Sequence, residues 1–297
     1  MPQDVKRGDR NDDVKLMQER INLHGGSAGR PDGIFGKGTE RALKAFQASH
    51  GVEDNGVCGE ATWSELMADP PTTGMEPDTL LSGGSRTVQT WNRYGGLLKE
   101  LAGNMGFHPA AAVAVMLTES GGKAFGSDGA MIVRFEPHVF RREVKKAGGD
   151  TELVAQHFKD DGWRGNTHFW RASPVGEWQS FHGNQGKEWA ALLFAVVVGG
   201  DAGWRSASYG LPQMMGFNHA ACGYSTAAAM VEDWKSSAEA QIRGMFAFIK
   251  ASSTMVSALK SEDFVTFASR YNGPGQKDEY GKLIAARTTA AKSAGVR

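Results

Sequence analysis

The sequence has few cysteines and none of the common metal-binding motifs. Its 297 residues include two cysteines, Cys58 and Cys222, which lie far apart in the chain. A disulfide-stabilised scaffold needs several cysteines at short spacings, so we expect two free thiols. The patterns C-x-x-C and H-E-x-x-H are absent, and the eight histidines show no close paired spacing. We therefore expect neither a metal nor another cofactor.

The chain also lacks a charge excess and a long apolar run. Lysine and arginine total 33, as do aspartate and glutamate, so no overall field attracts nucleic acid or an anionic membrane. The longest apolar run, residues 189–200, is too short to cross a bilayer, and the first fifteen residues lack the apolar core of a signal peptide. We expect a monomer made in the cytoplasm, with no nucleic-acid or membrane partner.

One break in composition divides the chain. Residues 69–85 combine Pro, Gly, Ser and Thr without helical or strand periodicity, which is typical of an interdomain linker. A length of 297 residues also exceeds the roughly 100–200 usual for one domain. We therefore predict a first domain at residues 1–68, a linker at 69–85 and a second domain at 86–297.

The first domain contains an internal repeat, in which residues 32–43 match residues 54–66. The aligned pairs are Gly33 with Gly56, Ile34 with Val57, Gly36 with Gly59, and Thr39 with Thr62. Each copy has a tight glycine turn, an apolar anchor and a threonine that we expect to N-cap the next helix. Helical apolar spacing within residues 12–25 and 39–51 predicts a small bundle with little room for a catalytic pocket.

A motif of the form D-G-x-x-G-x-x-T, followed by A-[LV]-x-x-F-Q, lies in this repeat. Its residues are Asp32, Gly33, Gly36, Thr39, Ala42, Leu43, Phe46 and Gln47. On these residues the segment 4–67 resembles the three-helix peptidoglycan-binding module of cell-wall lytic enzymes. The resemblance implies binding to peptidoglycan glycan strands. Its candidate wall-binding residues are Asp32, Gly33, Phe35 and Thr39.

The second domain has the pattern of a mostly helical fold. Periodicity predicts helices at residues 87–106, 109–120, 186–200, 238–252 and 262–272. Residues 128–140 alone resemble a strand, with a glycine turn, β-branched and aromatic residues, and Pro137 ending it. The chain is thus expected to be mainly α, with a three-helix module linked to an α+β, lysozyme-like domain that contains one small β-sheet.

Glu119 is the first candidate for a catalytic group. It ends the apolar run of residues 109–117 and precedes two glycines, Gly121 and Gly122, which we expect to end the helix and leave open space beside the carboxyl. Apolar surroundings disfavour the charged carboxylate and so raise its pKa, as a general acid requires. The alternative is a solvated residue at a helix end.

Three further motifs follow Glu119 in the order found in one enzyme family. They are F-E-x-H-x-F at residues 135–140, S-Y-G-L-P-Q-M-M at residues 208–215, and R-Y-N-G-P-G at residues 270–275. Together with E-S-G-G they resemble the phage N-acetylmuramidase family and, more widely, goose-type lysozymes and lytic transglycosylases. The resemblance covers about residues 86–292. It implies glycoside hydrolysis between N-acetylmuramic acid and N-acetylglucosamine.

The resemblance implies a role for each candidate residue. Glu119 is the general acid, and Glu136 is our first choice for a second catalytic carboxylate, ahead of Asp128. Glu136 has an alternative role as an ion-pair partner of Arg134, and Asp128 as a turn residue. The candidate substrate-binding residues are Tyr209, Gln213, Tyr271, Asn272 and His138. The alternative for Tyr271 is core packing.

The whole chain resembles a modular phage endolysin with its wall-binding module first. This implies a cytolytic, antimicrobial hydrolase that stays in the host cytoplasm until its release to the periplasm and cell wall. Two alternatives stay open. Lytic transglycosylases cleave the same bond with one protein carboxylate, and a wall-binding structural protein could carry an inactive lysozyme-like domain.

Overall fold

The computed structural model describes residues 2–24, 28–29, 31–67, 75, 77–82, 85–120, 124–126, 130–160, 168–235 and 237–297. Contacts divide the chain into two compact units. One comprises Met1–Glu76 with Phe125–Ala130, and the other Pro77–Ala124 with Met131–Arg297. The predicted linker at 69–85 falls only in part within the described residues, so its limits remain a prediction.

The first unit is the predicted three-helix bundle. Its helices are α1 (Asp12–Leu23), α2 (Lys37–Ser49) and α3 (Glu60–Met67). Two short strands, β1 (Val5–Lys6) and β2 (Val57–Cys58), pair antiparallel with Val5 opposite Cys58. Apolar residues from all three helices form one core that includes Val14, Met17, Ile21, Leu43, Phe46, Trp63 and Leu66.

A buried glutamine holds the turn of the first repeat. Gln18 on α1 is 1% exposed. Its amide nitrogen donates to the Asp32 carboxylate (3.0 Å), the Ile34 carbonyl (3.2 Å) and the Thr39 hydroxyl (3.1 Å). Its oxygen accepts from the backbone N–H groups of Asp32 and Gly33, at 3.0 and 2.9 Å. One side chain thus satisfies the polar groups of a whole turn.

Gln47 on α2 repeats this arrangement at the second turn. Its amide nitrogen donates to Asn55 (3.3 Å), the Val57 carbonyl (2.9 Å) and the Thr62 hydroxyl (2.9 Å). Its oxygen accepts from the N–H of Gly56 at 3.0 Å. The internal repeat of the sequence is therefore a repeat of one hydrogen-bonding unit, built from a helix glutamine and the turn that follows it.

The expectation that Thr39 N-caps α2 is wrong. The helix begins at Lys37 with Gly36 at the N-cap, and Thr39 is its third residue. The Thr39 hydroxyl instead lies inside the turn, where it accepts from Gln18 and donates to the Ile34 carbonyl at 3.3 Å. A buried amide that needs an acceptor draws the hydroxyl inwards, away from the helix end.

The second unit is mostly helical. The five predicted helices are confirmed to within two residues at each end as α4 (Arg86–Met105), α5 (Pro109–Ser120), α8 (Gln185–Gly199), α11 (Ala238–Lys250) and α13 (Phe264–Tyr271). The other helices described are α6 (Pro137–Lys146), α7 (Thr151–His157), α9 (Asp201–Trp204), α10 (Ala227–Trp234), α12 (Ser253–Lys260) and α14 (Lys277–Ala294).

Helix α5 lies at the centre of this unit. Every residue from Ala110 to Leu117 is buried, at 5% exposure or less. Helices α4 and α14 pack against it. The helix starts at Pro109, and the His108 ring accepts from the N–H of Ala110 at 3.1 Å. The apolar run that precedes Glu119 is therefore buried on all sides of its helix.

The expectation of one small sheet is incomplete, because the described residues of this unit form two. In the first, β3 (Val133–Phe135) pairs with β7 (Ala207–Tyr209), which pairs with β8 (Met214–Met215). The second orders β4 (Phe158–Asp160), β5 (His168–Trp170) and β6 (Gln179–Ser180). Strands of two or three residues are too short to show the alternation that predicts a strand.

Side chains of α8 cover the edge of β3 that faces away from β7. Gln185 accepts from the N–H of Val133 at 2.8 Å and donates to its carbonyl at 3.1 Å. Glu188 accepts from the N–H of Phe135 at 3.0 Å, and the Trp189 indole donates to the Met131 carbonyl at 2.9 Å. An edge strand leaves backbone groups unpaired, and α8 here replaces the missing strand.

Both cysteines are buried free thiols, as expected from their spacing. Burial raises the pKa of both, for Cys222 to about 12. Among the described residues no single helix is long and apolar enough to cross a bilayer. Only α4 and α5 taken together, across a bend of 114°, have the required length and composition.

We predict that Gln47→Leu destabilises the first unit by about 1–3 kcal/mol, because it leaves buried turn groups without partners. Hydrogen-exchange mass spectrometry of the full chain should show faster exchange in residues 52–62. Glu19→Ala, at an exposed position of α1, is the control and should leave exchange unchanged. Equal protection in wild type and Gln47→Leu would contradict the structural role of this side chain.

Candidate active site

The carboxylate of Glu119 lies in the last turn of α5 and is partly buried. The side-chain amide of Asn272 donates to both of its oxygens, at 3.2 and 3.0 Å. Asn272 is the C-cap of α13 and is exposed. Two residues that are 153 positions apart in the sequence therefore meet at one site that opens to solvent.

The pKa of Glu119 is raised from the ordinary value of 4.5 to about 7. Burial is the main cause, because it removes water from the charged form. The hydrogen bond from Asn272 and the positive charge of Arg287 both lower the pKa and limit the rise. The group thus keeps a proton at near-neutral pH and also has partners that stabilise the ion after the proton has left.

Helix α14 supplies two groups near Glu119 that the sequence did not indicate. The guanidinium of Arg287 donates to the Thr118 hydroxyl at 3.0 Å, which fixes a cation next to the carboxylate. The charge of Glu119 also acts on Tyr280, whose pKa is raised mainly by burial. No motif marks either residue, because each stands alone in a helix of mixed composition, and only the packing of α14 on α5 brings them here.

The turn between β7 and β8 is joined to the same site through α13. The Tyr271 hydroxyl donates to the Pro212 carbonyl at 3.4 Å, and Tyr271 is the neighbour of Asn272. In this turn Gln213 has a φ of +46°, a conformation that side-chain-bearing residues rarely adopt. Strained backbone of this kind clusters at functional sites.

A buried glutamine, Gln241, holds the turn between β7 and β8 by hydrogen bonds. Gln241 on α11 accepts from the N–H of Leu211 and donates to the Trp234 carbonyl, at 2.6 and 2.9 Å. Gly210 has a φ of +60°, and a Cβ at this position would lie 2.3 Å from the Gln241 oxygen. Only glycine therefore fits here. The turn is as tightly specified as those of the first unit.

The structure brings together Glu119, Tyr271, Asn272 and the turn that carries Gln213. The side chain of Gln213 is largely used within its own turn, since it donates to the Gly210 carbonyl at 2.7 Å and accepts from Ser208 at 3.1 Å. Tyr271 is stacked on Phe267 and meets Phe248 edge-on. The ring of Tyr271 therefore serves largely as a packing residue, which was the alternative to substrate binding.

The expectation that Tyr209 contacts a glycan is wrong. Its side chain is 0% exposed, and its hydroxyl donates to the Trp204 carbonyl at 2.7 Å. Tyr209 is the last residue of β7, opposite Val133 of β3. Alternation along β7 turns this ring into the core, a direction that the motif alone does not reveal.

Glu136 lies at the N-cap of α6, with a different set of contacts from Glu119. One oxygen accepts from Arg134 at 2.9 Å, which confirms the alternative of an ion pair. The other oxygen lies 3.6 Å from the ring of His138 and 3.8 Å from that of His168. Asp128, the second choice, lies outside the described residues, as do the two glycines after Ser120.

Glu136, His168 and His182 could hold a metal ion, since one donor atom from each lies within 4.8 Å of the others. The sequence predicted no metal because these residues are 32 and 14 positions apart and share no motif. They come from the start of α6, from β5 and from the loop before α8. Only the fold brings them together.

The four candidate wall-binding residues build the first turn of the first unit. Phe35 and Thr39 are buried, at 2% and 5% exposure. Asp32 accepts from the N–H of Ile34 at 2.9 Å, and Gly33 has a φ of +74°. Ile34, which lies between Gly33 and Phe35, is 40% exposed and is the large apolar side chain that this turn presents to solvent.

We predict that Glu119→Gln stabilises the protein above pH 7 by about 1–3 kcal/mol. A carboxyl group whose pKa rises on folding, here from 4.5 to about 7, contributes full stability below pH 4.5 and loses it as the pH rises through 7. Glutamine has no such loss. Unfolding free energies of the two proteins should coincide at pH 4 and diverge by pH 8.

The control is Glu152→Gln, at an exposed position in the first turn of α7. It should show no such divergence. A constant difference between Glu119→Gln and wild type from pH 4 to pH 8 would mean that burial does not raise the pKa of Glu119.

Comparison with solved structures finds similarity over nearly the whole chain. The crystal structure of Burkholderia AP3 phage endolysin is 26% identical, covers 98% of this chain and 100% of its own, and has a TM-score of 0.55. Among curated proteins, spore cortex-lytic enzymes match over 63 residues, with 38% identity for Bacillus cereus and 37% for Oceanobacillus iheyensis. These matches cover 21% of this chain and about a quarter of those relatives, 24% and 23%.

Comparison with protein families gives matches to two separate segments of the chain. Residues 10–66 match a putative peptidoglycan binding domain. Residues 108–291 match the N-acetylmuramidase family and include Glu119, Glu136, Gln213 and Asn272. Because this second match covers well over half of the sequence, the chain belongs to the N-acetylmuramidase family.

Proposed function

We propose that this protein is an endolysin that cleaves the β-1,4 bond between N-acetylmuramic acid and N-acetylglucosamine in peptidoglycan. The observation that carries the proposal is the carboxyl of Glu119, with a pKa of about 7 and held by Asn272 at the end of a buried helix. Membership of the N-acetylmuramidase family and likeness to a phage endolysin support it.

Glu119 acts as the general acid. Its proton passes to the glycosidic oxygen as the bond to the sugar ring breaks, and a carboxyl with a pKa near 7 is both protonated and acidic enough to do this at neutral pH. The carboxylate that remains accepts hydrogen bonds from Asn272 and lies near the Arg287 cation. Both partners favour the charged form, so they stabilise the developing charge as the proton leaves.

Completion of the reaction needs a group that stabilises the sugar cation or activates water. Glu136 and Asp128 remain candidates. Since Glu136 is engaged by Arg134 and the described contacts link it to no partner of Glu119, a reaction with one protein carboxylate is the second candidate. In that case a group of the substrate closes an anhydro ring, and the protein is a lytic transglycosylase.

The first unit holds the enzyme on its substrate. Its match to a putative peptidoglycan binding domain supports binding to glycan strands, and the exposed Ile34 on the first turn is a natural contact for a sugar face. We further propose that the protein is a monomer, binds neither nucleic acid nor membrane, and is retained in the cytoplasm of the host. After release to the periplasm it lyses the cell, which would make it antimicrobial.

We predict that Glu119→Gln lowers the rate of clearing of permeabilised Gram-negative cells by about 10²–10⁴. Glutamine keeps the size of the side chain and one acceptor oxygen for Asn272, but it has no acidic proton to transfer. Glu136→Gln should lower the rate less, Asp128→Asn should lower it least, and the control Glu152→Gln should leave it unchanged.

The wild-type rate of clearing should fall as the pH rises above about 7, where Glu119 loses its proton. Wild-type clearing by Glu119→Gln would overturn its role.

Mass spectrometry of the muropeptides released by wild type separates the two reactions. Hydrolysis adds one water to each cleaved bond and leaves a reducing end. Transglycosylation adds none and leaves an anhydro ring. Reducing ends are expected, and anhydro products would favour the transglycosylase.

We predict that residues 1–68, made alone, sediment with purified peptidoglycan and release no soluble fragments. Residues 85–297 should still cleave, but more slowly on intact walls, because the module raises the local concentration of enzyme at the substrate. Ile34→Asp should weaken sedimentation without unfolding the fragment, and Glu53→Gln, at another exposed position, is the matched control. A wild-type fragment that stays in the supernatant would contradict wall binding.

A further inference from the structure

We propose that Glu136, His168 and His182 bind a divalent transition-metal ion, with Zn²⁺ as the preferred ion. The site lies at the start of α6 and beside the sheet β4–β6. The site includes Glu136, a candidate for the second catalytic carboxylate, but none of the groups that contact Glu119, so metal binding does not require the proposed cleavage reaction.

The donor atoms are close enough for coordination by small side-chain movements. One donor from each residue lies within 4.8 Å of the other two, and the pair Glu136 Oε2 and His168 Nδ1 is 3.8 Å apart. Zinc–ligand bonds of about 2.0–2.1 Å place tetrahedral donors roughly 3–3.5 Å apart. Rotation of the side chains that moves each donor inwards by about 1 Å meets this requirement.

His182 is oriented as a metal ligand by a second carboxylate. Its Nδ1 lies 2.6 Å from Glu188 Oε1, and Glu188 is itself 2% exposed and fixed by the N–H of Phe135 at 3.0 Å. A carboxylate can only accept here, so Nδ1 carries the hydrogen, and in the neutral ring Nε2 has the lone pair that a metal needs. Carboxylate–histidine–metal arrangements fix ligands in this way.

The second ring nitrogen of His182 needs a partner. Nε2 is buried, and among the described residues no hydrogen-bond donor reaches it. A buried polar atom without a partner is costly, and a metal ion in the cluster would satisfy this lone pair. The orientation by Glu188 and the unsatisfied Nε2 thus point to the same ligand.

The donor set selects the class of ion. Two imidazole nitrogens and one carboxylate oxygen suit zinc, cobalt or nickel, whereas Ca²⁺ and Mg²⁺ prefer oxygen ligands. Arg134 occupies the other oxygen of Glu136 at 2.9 Å, and the His138 ring lies 3.6 Å from Oε2. The cation next to Glu136 weakens attraction for the metal, so we expect micromolar rather than tighter affinity.

The ligands come from three separate elements, which suggests what the ion does. Glu136 caps α6, His168 begins β5 and His182 precedes α8. An ion shared by them would fasten the second sheet to the helix start. We therefore expect the metal to raise the thermal stability of the full chain, because it binds the folded state alone.

The first test is metal binding by the full chain after treatment with a chelator. Equilibrium dialysis against Zn²⁺, with metal measured by plasma mass spectrometry, should give one equivalent per chain. His182→Ala and His168→Ala should each weaken binding at least 100-fold. Glu188→Gln, which leaves the ligands in place, should weaken it about 10–100-fold through its effect on His182. His219→Ala, a histidine outside the cluster, is the control.

The second test uses wild-type protein alone and so does not depend on the folding of variants. Co²⁺ added to the chelator-treated chain should give the intense visible absorption of a low-symmetry four-coordinate site, and Zn²⁺ should displace it. Less than one equivalent of bound zinc when free Zn²⁺ is far above the expected micromolar Kd, or the weak spectrum of hydrated cobalt, would overturn the proposal. In the first test, a folded His182→Ala variant that binds zinc with wild-type affinity would also overturn the proposal. Glu119→Gln should bind zinc like wild type, which separates this test from that of the cleavage reaction.

Discussion

The burial of α5 is the constraint on which the candidate site depends. A helix in which every residue from Ala110 to Leu117 is buried carries Glu119 to its last turn, where little water can solvate the charge. Two groups offset part of the free-energy cost of the poorly solvated carboxylate. Asn272 donates to both carboxylate oxygens, and Arg287 brings a cation nearby. These effects oppose the loss of water without cancelling it, so the pKa of Glu119 settles near neutrality.

Amide side chains that are buried, or partly buried in the case of Gln185, recur as a device of this fold. Gln18 and Gln47 each hold a turn of the first unit, Gln241 holds the turn after β7, and Gln185 covers the edge of β3. An amide both donates and accepts, so one side chain can satisfy the mixed polar groups of an irregular segment. The turns of the first unit and the turn that carries Gln213 are thus held by specific hydrogen bonds.

The sequence predicts the helices and the buried setting of Glu119 well because both are local in origin. Periodic apolar residues over ten or more positions leave a clear pattern, and the apolar residues that precede Glu119 lie in its own helix. Arg287 and Tyr280 reach Glu119 from α14, and the sequence gives no sign of them. It predicts Tyr209 and the second sheet poorly. Which way a strand residue points depends on pairing partners, and the strands here have two or three residues. The cluster of Glu136, His168 and His182 leaves no local signal, because three elements separated by many residues form it.

The end of α13 ties two parts of the site to one backbone segment. Tyr271 holds the Pro212 carbonyl of the strained turn, and the next residue, Asn272, holds the Glu119 carboxylate. A glycan that presses on the turn would therefore also shift the amide that orients the acid. Binding at the turn and the ability of Glu119 to donate a proton would then be coupled through this backbone segment. Longer glycan strands would gain in turnover as well as in affinity, because binding energy far from the broken bond is used to align the acid.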